Sequence, residues 1–148
     1  MKSTDIKPDR FEYAKSLALD LFNSLNGKNR VGVILAGSVP VVVLKPTQDK
    51  DAVRTTIMSL KPTDQNADIG NALYTAVKLA EKGGVVVVFT DGADEQRGKS
   101  IDDVLILAKK MNIDVFFIKT GKNSYNAGIS DFYVGRVSQN SLNYSGFV

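Results

Sequence analysis

The amino-acid sequence predicts an α/β protein: a doubly wound, mostly parallel sheet with one antiparallel edge strand and helices on both faces. Segments with helical periodicity alternate along the chain with short apolar runs. The run Val85–Phe89 is apolar at every position, which is typical of a strand covered on both faces. The length of 148 residues is that of one domain. We therefore predict a single domain over residues 1–148, in which residues 121–148 are a less regular segment.

The first half of the chain predicts a helix, a hairpin and a second helix. Apolar residues recur at three- and four-residue spacing over residues 11–25, before Gly27 offers a C-terminal stop. Two β-branched runs, Val31–Ala36 and Val39–Leu44, are separated by a tight turn and indicate the hairpin that supplies the antiparallel edge. Asp49 is placed to cap the second helix. The residues expected to face inward from the two helices are Phe11, Ala14, Leu17, Ala18, Leu21, Phe22, Leu25, Val53, Ile57 and Leu60.

The second half predicts two further helices, each followed by an extended segment. Asp68 is placed to cap the third helix, which leads into the apolar run already described. Ser100 with Asp103 approximates a capping box for the fourth helix, and the strand Ile113–Ile118 follows it. A last short strand is expected at Phe132–Val137. Helices that alternate with apolar strands favour the parallel arrangement.

Composition excludes several classes of function. The chain contains neither cysteine nor histidine, so disulfides, thiol nucleophiles, Cys/His zinc sites and Ser-His-Asp triads are ruled out. The net charge of +3 is mild and no run of five like charges occurs, so charge alone predicts neither a nucleic-acid groove nor binding to a membrane surface. The apolar runs are far shorter than the ~20 residues that cross a bilayer, and the start of the chain is polar. We expect a soluble, cytoplasmic protein.

Polar residues follow the predicted parallel strands, at the sheet edge where ligands of such folds bind. Asp91 is the most informative, since it comes directly after the apolar run Val85–Phe89. A carboxylate at this position can bind a metal, accept a phosphoryl group or cap the turn that follows. From the sequence alone, a role in the turn and a role in a functional site are about equally favoured. The residues predicted to form an interaction surface here are Gly37, Ser38, Asp68, Asp91, Asp94 and Glu95.

Five segments together resemble the von Willebrand factor A domain family. The strand-to-TDG segment Val85–Gly92 has the family's form, and Asp9–Lys15 is similar to the start of its first helix. Asn29–Val33, Asp68–Leu73 and Asn112–Phe116 resemble, in the right order, later strands and a helix start. The resemblance covers residues 8 to about 120. It implies a Rossmann-like, doubly wound sheet and a non-catalytic role in binding another protein.

The chain departs from this family at the metal-ion-dependent adhesion site. The family's central first strand, which ends in D-x-S-x-S, has no counterpart here, and Ala67 stands where the family has a threonine. Asp91 is the one residue of the metal site that carries over, with Asp68 as a weak second. Mg²⁺ requires several oxygen ligands in octahedral array, so we expect a degenerate site, weak or no Mg²⁺ binding, and no cofactor.

The missing first strand would leave the centre of the sheet open. Three outcomes are open: an upstream segment belongs to the native protein, another chain supplies the strand, or the C-terminal segment of this chain fills the place. We rank a truncated or shortened domain first. Completion by a homo-oligomer or by the C-terminal segment is the alternative.

Two other classes of function compete with an interaction module that is not an enzyme. Asp91 and Lys119 each follow an apolar strand, as do the acceptor aspartate and the lysine of a receiver-like phosphoacceptor or other Mg²⁺-dependent signalling domain, but the acidic pair that holds the Mg²⁺ in receivers is missing. Nucleic-acid binding is the less favoured alternative, because the basic residues and tyrosines are dispersed along the chain.

Overall fold

The computed structural model describes residues 9–62, 67–92 and 98–120 of the chain. This part contains four helices and four strands in the predicted order. The predicted strand Phe132–Val137 lies outside the described residues. The elements are α1 (Arg10–Ser24), β1 (Val31–Leu35), β2 (Val41–Thr47), α2 (Lys50–Ser59), α3 (Ile69–Leu79), β3 (Val85–Thr90), α4 (Ile101–Lys110) and β4 (Asp114–Lys119).

Aspartates begin the first three helices, because a carboxylate accepts bonds from backbone N–H groups that have no partner in the first turn. Asp9 accepts from the amides of Phe11 and Glu12, both at 2.9 Å. Asp49 caps α2 in the same way, as predicted. The predicted capping box of α4 is wrong: Ser100 occupies the N-cap position, but its side chain makes no capping bond.

The strands form two pairs. β1 and β2 are antiparallel, from the pair Val31 and Thr47 to the pair Leu35 and Val41, which confirms the predicted hairpin. β3 and β4 are parallel over their full length and are joined by α4. A helix between parallel neighbours is the usual crossover connection. Both the antiparallel and the parallel part of the predicted sheet are therefore present.

The helices pack in two pairs on opposite faces of the strands. α1 contacts α2, and α3 contacts α4, while no contact joins the two pairs. α2 packs on β1 and β2, and α1 packs on β3. From the other face α3 reaches β1, β2 and β3, so both strand pairs lie in one layer between the helices. This arrangement confirms the predicted α/β class with helices on both faces.

One apolar cluster lies between the parallel strands and the pair α3 and α4. In register, Val86 pairs with Val115 and Val88 with Phe117, and all four side chains belong to this face. Burial of such side chains contributes about 1.5–3 kcal/mol each. The fully packed members are Leu73, Val77, Val86, Val104, Ala108 and Ile113.

The opposite face is less well covered than the sequence predicts. In Val85–Phe89, expected to be buried throughout, Val86 is buried but Val85 is 51% exposed, and the other three residues are half-buried. Leu21 of α1, expected to face inward, is 36% exposed. The physical reason is that β3 has a hydrogen-bonded neighbour on one side only among the described strands, since the two pairs are not joined into one sheet.

Candidate functional site

The carboxyl ends of the strands and the first residues of two helices meet at one edge of the molecule, which we call the rim. The carbonyl oxygen of Gly37, after β1, accepts a bond of 3.0 Å from the amide of Asp68 at the start of α3. The amide of Thr120, after β4, donates to the carbonyl oxygen of Thr90 at 2.9 Å. The described residues of the rim are Arg10, Gly37, Ser38, Asp68, Asp91 and Thr120.

Asp91 is held by a cationic side chain from the other end of the chain. Nη1 of Arg10, the first residue of α1, donates to Oδ2 of Asp91 at 3.3 Å. Only 17% of the arginine side chain and 9% of the aspartate side chain are exposed. In such partly buried surroundings a charged pair is screened less than at the surface. The guanidinium therefore supplies positive charge at the one carboxylate that the family resemblance carries over from the metal site.

Asp68 is a helix cap with 4% of its surface exposed. Its Oδ1 accepts from the amide of Asn71 at 2.9 Å, and its Oδ2 accepts from Nδ2 of the same residue at 2.8 Å. Both carboxylate oxygens are thus engaged at the N-terminus of α3, where negative charge also suits the helix dipole. The capping role confirms the predicted helix start and leaves little of this side chain for a partner.

The segment that precedes α4 crosses directly over the start of α3. A Cβ on Gly70 would collide with the backbone carbonyl of Lys99, and one on Gly98 would collide with the side chain of Asn71. Nζ of Lys99 also lies 4.4 Å from the ring centroid of Tyr74, a cation–π contact. Glycines at these two positions are what allow the two backbones to approach each other.

The other predicted surface residues divide into buried and exposed ones. Gly37 is buried and Ser38 is exposed, while Asp94 and Glu95 lie outside the described residues. Val39, next to Ser38, is 71% exposed. Lys119, the partner that a phosphoacceptor would place beside Asp91, is exposed at the end of β4. Arg10 forms an ion pair with Asp91.

The pairing of one rim residue and the burial of another were not predicted from the sequence. Arg10 lies in a segment that resembles the family, but its partner is 81 residues away and no local pattern joins the two. Thr120 is fully buried, and its hydroxyl has no hydrogen-bond partner in the part of the chain that is described. The apolar run of β4 before it was the only signal of its burial.

The donor set of the rim does not suit a divalent cation held by this chain's described residues. Among them no group of three or more acidic side chains comes close enough together to hold a metal ion. Mg²⁺ needs near-octahedral oxygen ligation, and Asp91 already faces the guanidinium of Arg10. What the rim offers chemically is a neutralised carboxylate, exposed loop backbone and nearby apolar side chains.

No helix within residues 9–62, 67–92 and 98–120 is long and apolar enough to cross a membrane.

Among curated proteins, the chain is 27% identical over 95 residues to a UPF0353 protein of Mycobacterium sp. (strain KMS). The alignment covers 64% of this chain and 27% of that protein. It is 26% identical over 106 residues to a UPF0353 protein of Mycobacterium marinum, which covers 64% of this chain and 31% of that protein. The chain therefore spans less than a third of the length of these relatives.

Two solved structures are similar over most of the chain. The conserved hypothetical protein BatB from Bacteroides thetaiotaomicron matches with a TM-score of 0.72 and 25% identity, over 80% of this chain and 60% of that one. An aerotolerance-related membrane protein from Bacteroides fragilis matches with a TM-score of 0.71 and 22% identity, over 93% of this chain and 76% of that one. The second likeness shows the fold alone.

The sequence profile of the von Willebrand factor type A domain matches residues 1–93, more than half of the chain. This match agrees with the layered α/β fold and with the placement of the TDG segment at the carboxyl end of β3. The chain belongs to the von Willebrand factor type A domain family.

Proposed function

We propose that this chain is a non-catalytic module that binds another protein through the β1–β2 end of the rim and the adjoining outer face of β2. One observation carries the proposal: an apolar strip is exposed where the rim meets β2. Val39 is 71% exposed, Val41 54% and Val43 39%. Contiguous apolar side chains on a surface are typical of protein–protein contact sites.

The strip follows from the alternation of side chains along a strand. Val41 and Val43 lie on the more exposed face of β2, while Val42 and Leu44 between and beyond them are half-buried on the other face. A strand with one face toward water normally carries polar residues on that face. Valines there cost solubility without adding to the core, so contact with a partner is their simplest use.

The rim carboxylates support the same proposal, with a degenerate metal-ion-dependent adhesion site. Asp91 is paired with Arg10 and Asp68 caps α3, so both acidic groups that the sequence offered to a metal already have protein donors. Recognition would then depend on the apolar strip and on exposed loop groups beside Ser38. No resident cofactor is part of this proposal.

The proposal also includes the cellular location of the protein. The cytoplasmic location expected from composition stays a prediction, since one protein of similar fold is described as a membrane protein. Separation of soluble and membrane fractions from source cells, followed by immunodetection of the chain, tests it.

The binding role is tested by capture from a lysate of the source cells with the immobilised full chain, quantified by mass spectrometry. Val39→Arg places a charge in the exposed strip, whereas Asn26→Arg places the same side chain on an exposed loop at the opposite end of the molecule. We expect the wild type and Asn26→Arg to retain the same protein, and Val39→Arg to retain about tenfold less of it, since interface centres tolerate charge poorly.

Equal capture by Val39→Arg and the wild type would contradict the proposed surface.

A second assay addresses the phosphoacceptor alternative: incubation with acetyl phosphate and Mg²⁺, followed by mass analysis of the intact chain. Covalent labelling that disappears in Asp91→Asn would contradict the proposed binding role and favour a receiver-like phosphoacceptor function.

A further inference from the structure

Asn26 and Gly27 form the one Asn-Gly pair of the sequence and lie in the connection between α1 and β1. Both residues are exposed. The amide of Asn29 donates to the carbonyl oxygen of Asn26 at 3.1 Å, which closes a turn over residues 26–29. Among the described residues, neither the side chain of Asn26 nor the backbone N–H of Gly27 has a hydrogen-bond partner. Both groups are therefore open to water.

An asparagine side chain can react with the backbone nitrogen of the residue that follows it. Once this nitrogen has lost its proton, it attacks Cγ of the asparagine and closes a five-membered ring. A side chain on the following residue obstructs the ring closure, whereas glycine has none and lets the backbone bend. A backbone N–H that is held in a hydrogen bond must first be released, so such a bond slows the reaction.

Two groups stabilise the negative charge that develops when Gly27 loses its amide proton. This charge is shared between the Gly27 nitrogen and the carbonyl oxygen of Asn26, and the same oxygen already accepts the N–H of Asn29. The second group is the ammonium of Lys50, since a Cβ on Gly27 would lie 3.3 Å from its Nζ. A cation beside an anion lowers the free energy of the anion. The turn therefore favours the reactive form of the Gly27 nitrogen.

The Asp-Gly pair at the rim is closed to the same reaction. Asp91 could form the same ring with Gly92, with loss of water in place of ammonia. However, the N–H of Gly92 donates to Oγ1 of Thr90 at 3.1 Å, and the carboxylate of Asp91 is paired with Arg10. The fold therefore distinguishes two pairs that look alike in the sequence.

Two other asparagines of the described chain are closed as well. The backbone N–H after Asn71 donates to the carbonyl oxygen of Asp68 at 3.1 Å. The backbone N–H after Asn112 donates to the carbonyl oxygen of Ala108 at 2.9 Å. Both asparagines are followed by a residue with a side chain. They serve as internal controls for Asn26.

We propose that Asn26 is a site of spontaneous modification, at which the chain converts its own side-chain amide to a carboxylate. The Gly27 nitrogen gives its proton to water and bonds to Cγ of Asn26. The bond from Cγ to Nδ2 then breaks, and Nδ2 takes up a proton from water and leaves as ammonia. Water opens the ring in one of two ways: cleavage at Cγ leaves aspartate, and cleavage at the backbone carbonyl leaves isoaspartate. Each product lowers the net charge of +3 by one.

The proposal is tested on the full chain, incubated in mildly alkaline buffer either folded or unfolded in guanidinium chloride. Peptide mapping with mass spectrometry follows the conversion of each amide to a carboxyl group and separates aspartate from isoaspartate. We expect Asn26 to react at least as fast in the folded chain as in the unfolded chain. Reaction at Asn71, Asn112 and Asp91 should be slower by about tenfold or more in the folded chain. A slower reaction of Asn26 in the folded chain would overturn the proposal.

Substitutions test the roles of the two neighbours. A Cβ on Gly27 meets only the flexible side chain of Lys50, so Gly27→Ala should keep the fold and slow the reaction about tenfold. Lys50→Gln should slow it about threefold, whereas Lys45→Gln, which removes an exposed charge from β2, should react like the wild type.

A product without isoaspartate, or an unchanged rate in Gly27→Ala, would overturn the proposal, because water would then attack the side chain of Asn26 without the Gly27 nitrogen. Equal rates in Lys50→Gln and Lys45→Gln would overturn the role given to Lys50.

Discussion

Gly70 is the residue at which the segment before α4 crosses α3. Glycine is a poor helix residue, by about 1 kcal/mol relative to alanine, so its presence in the first turn of α3 needs a reason. The reason is steric: the space where a Cβ would stand is taken by the backbone carbonyl of Lys99. This crossing holds Lys99 over Tyr74 and the Gly98 backbone against Asn71.

Substitution of this glycine is expected to be costly. Gly70→Ala should lower the free energy of unfolding by about 2–4 kcal/mol, because backbone must move and the propensity gain of alanine does not compensate. The control Gly27→Ala meets only the flexible side chain of Lys50 at 3.3 Å and should stay within about 0.5 kcal/mol of the wild type. Urea unfolding followed by far-UV circular dichroism measures both, and equal stabilities would show that the crossing is loose.

Sequence patterns identified residues whose role is local and missed those whose role is not. Asp49 and Asp68 were placed correctly as caps, because a cap and its donors lie within three residues. The pairing of Arg10 with Asp91 joins residues 81 positions apart, and nothing in either segment specifies the other. Periodicity likewise cannot show that the hydroxyl of Thr120 is fully buried.

At the level of elements, the caps of α2 and α3 use the same residue type in different surroundings. Asp49 is exposed, and its Oδ1 accepts hydrogen bonds from the amides of Asp51 and Ala52. Asp68 is buried and bonds both the amide and the side chain of Asn71. Water can replace the first carboxylate but has little access to the donors of the second.

The two caps therefore predict different costs of truncation. Asp49→Ala should lower the free energy of unfolding by about 1 kcal/mol and Asp68→Ala by about 2 kcal/mol, since donors left buried without partners add to the loss. Asp68→Asn keeps one acceptor oxygen and should recover most of the difference. Thermal unfolding of the four proteins provides the comparison. A smaller loss for Asp68→Ala than for Asp49→Ala would contradict this account of burial.

Element order followed from the sequence, while the burial of individual strands did not. Alternating helical and apolar segments specified all four helices and four strands of the described part. The apolar run Val85–Phe89 predicted a strand covered on both faces, but one face of β3 is only half-covered, and one of its edges has no neighbour among the described strands. The residues of a strand show which of its faces are apolar. Whether those faces are buried depends on the helices and strands that pack against them.

At the scale of the whole molecule, the Arg10–Asp91 pair joins the first helix to the parallel strands. α1 packs on β3 and on α2, where Nζ of Lys15 donates to the carbonyl oxygen of Leu60 at 3.3 Å. The ion pair therefore ties the α1 and α2 layer to the end of β3 across the rim. Arg30 and Glu81 form a second long-range ion pair, but on the exposed surface.

These two pairs give a matched test. Arg10→Gln should lower the free energy of unfolding by about 1–3 kcal/mol, because it removes one positive charge from beside a poorly solvated carboxylate. Arg30→Gln should change it by less than about 1 kcal/mol, as is typical of exposed ion pairs. Denaturant unfolding at fixed salt measures both.

Calorimetric titration with Mg²⁺ and Mn²⁺ should show no binding at millimolar concentration in the wild type or in Arg10→Gln, since one carboxylate does not make an octahedral site. Millimolar or tighter binding that is lost in Asp91→Ala would instead show that Asp91 belongs to a functional metal site beside Arg10.

The fold has a consequence for the order in which its parts can form. α1, β1, β2 and α2 are consecutive in the chain, as are α3, β3, α4 and β4. Each pairing between described strands lies within one of these two sets. Each set can close its loops between near neighbours in sequence, which is the entropically inexpensive route. During synthesis on the ribosome, the first set emerges complete before the second, so the two halves can mature one after the other and then dock.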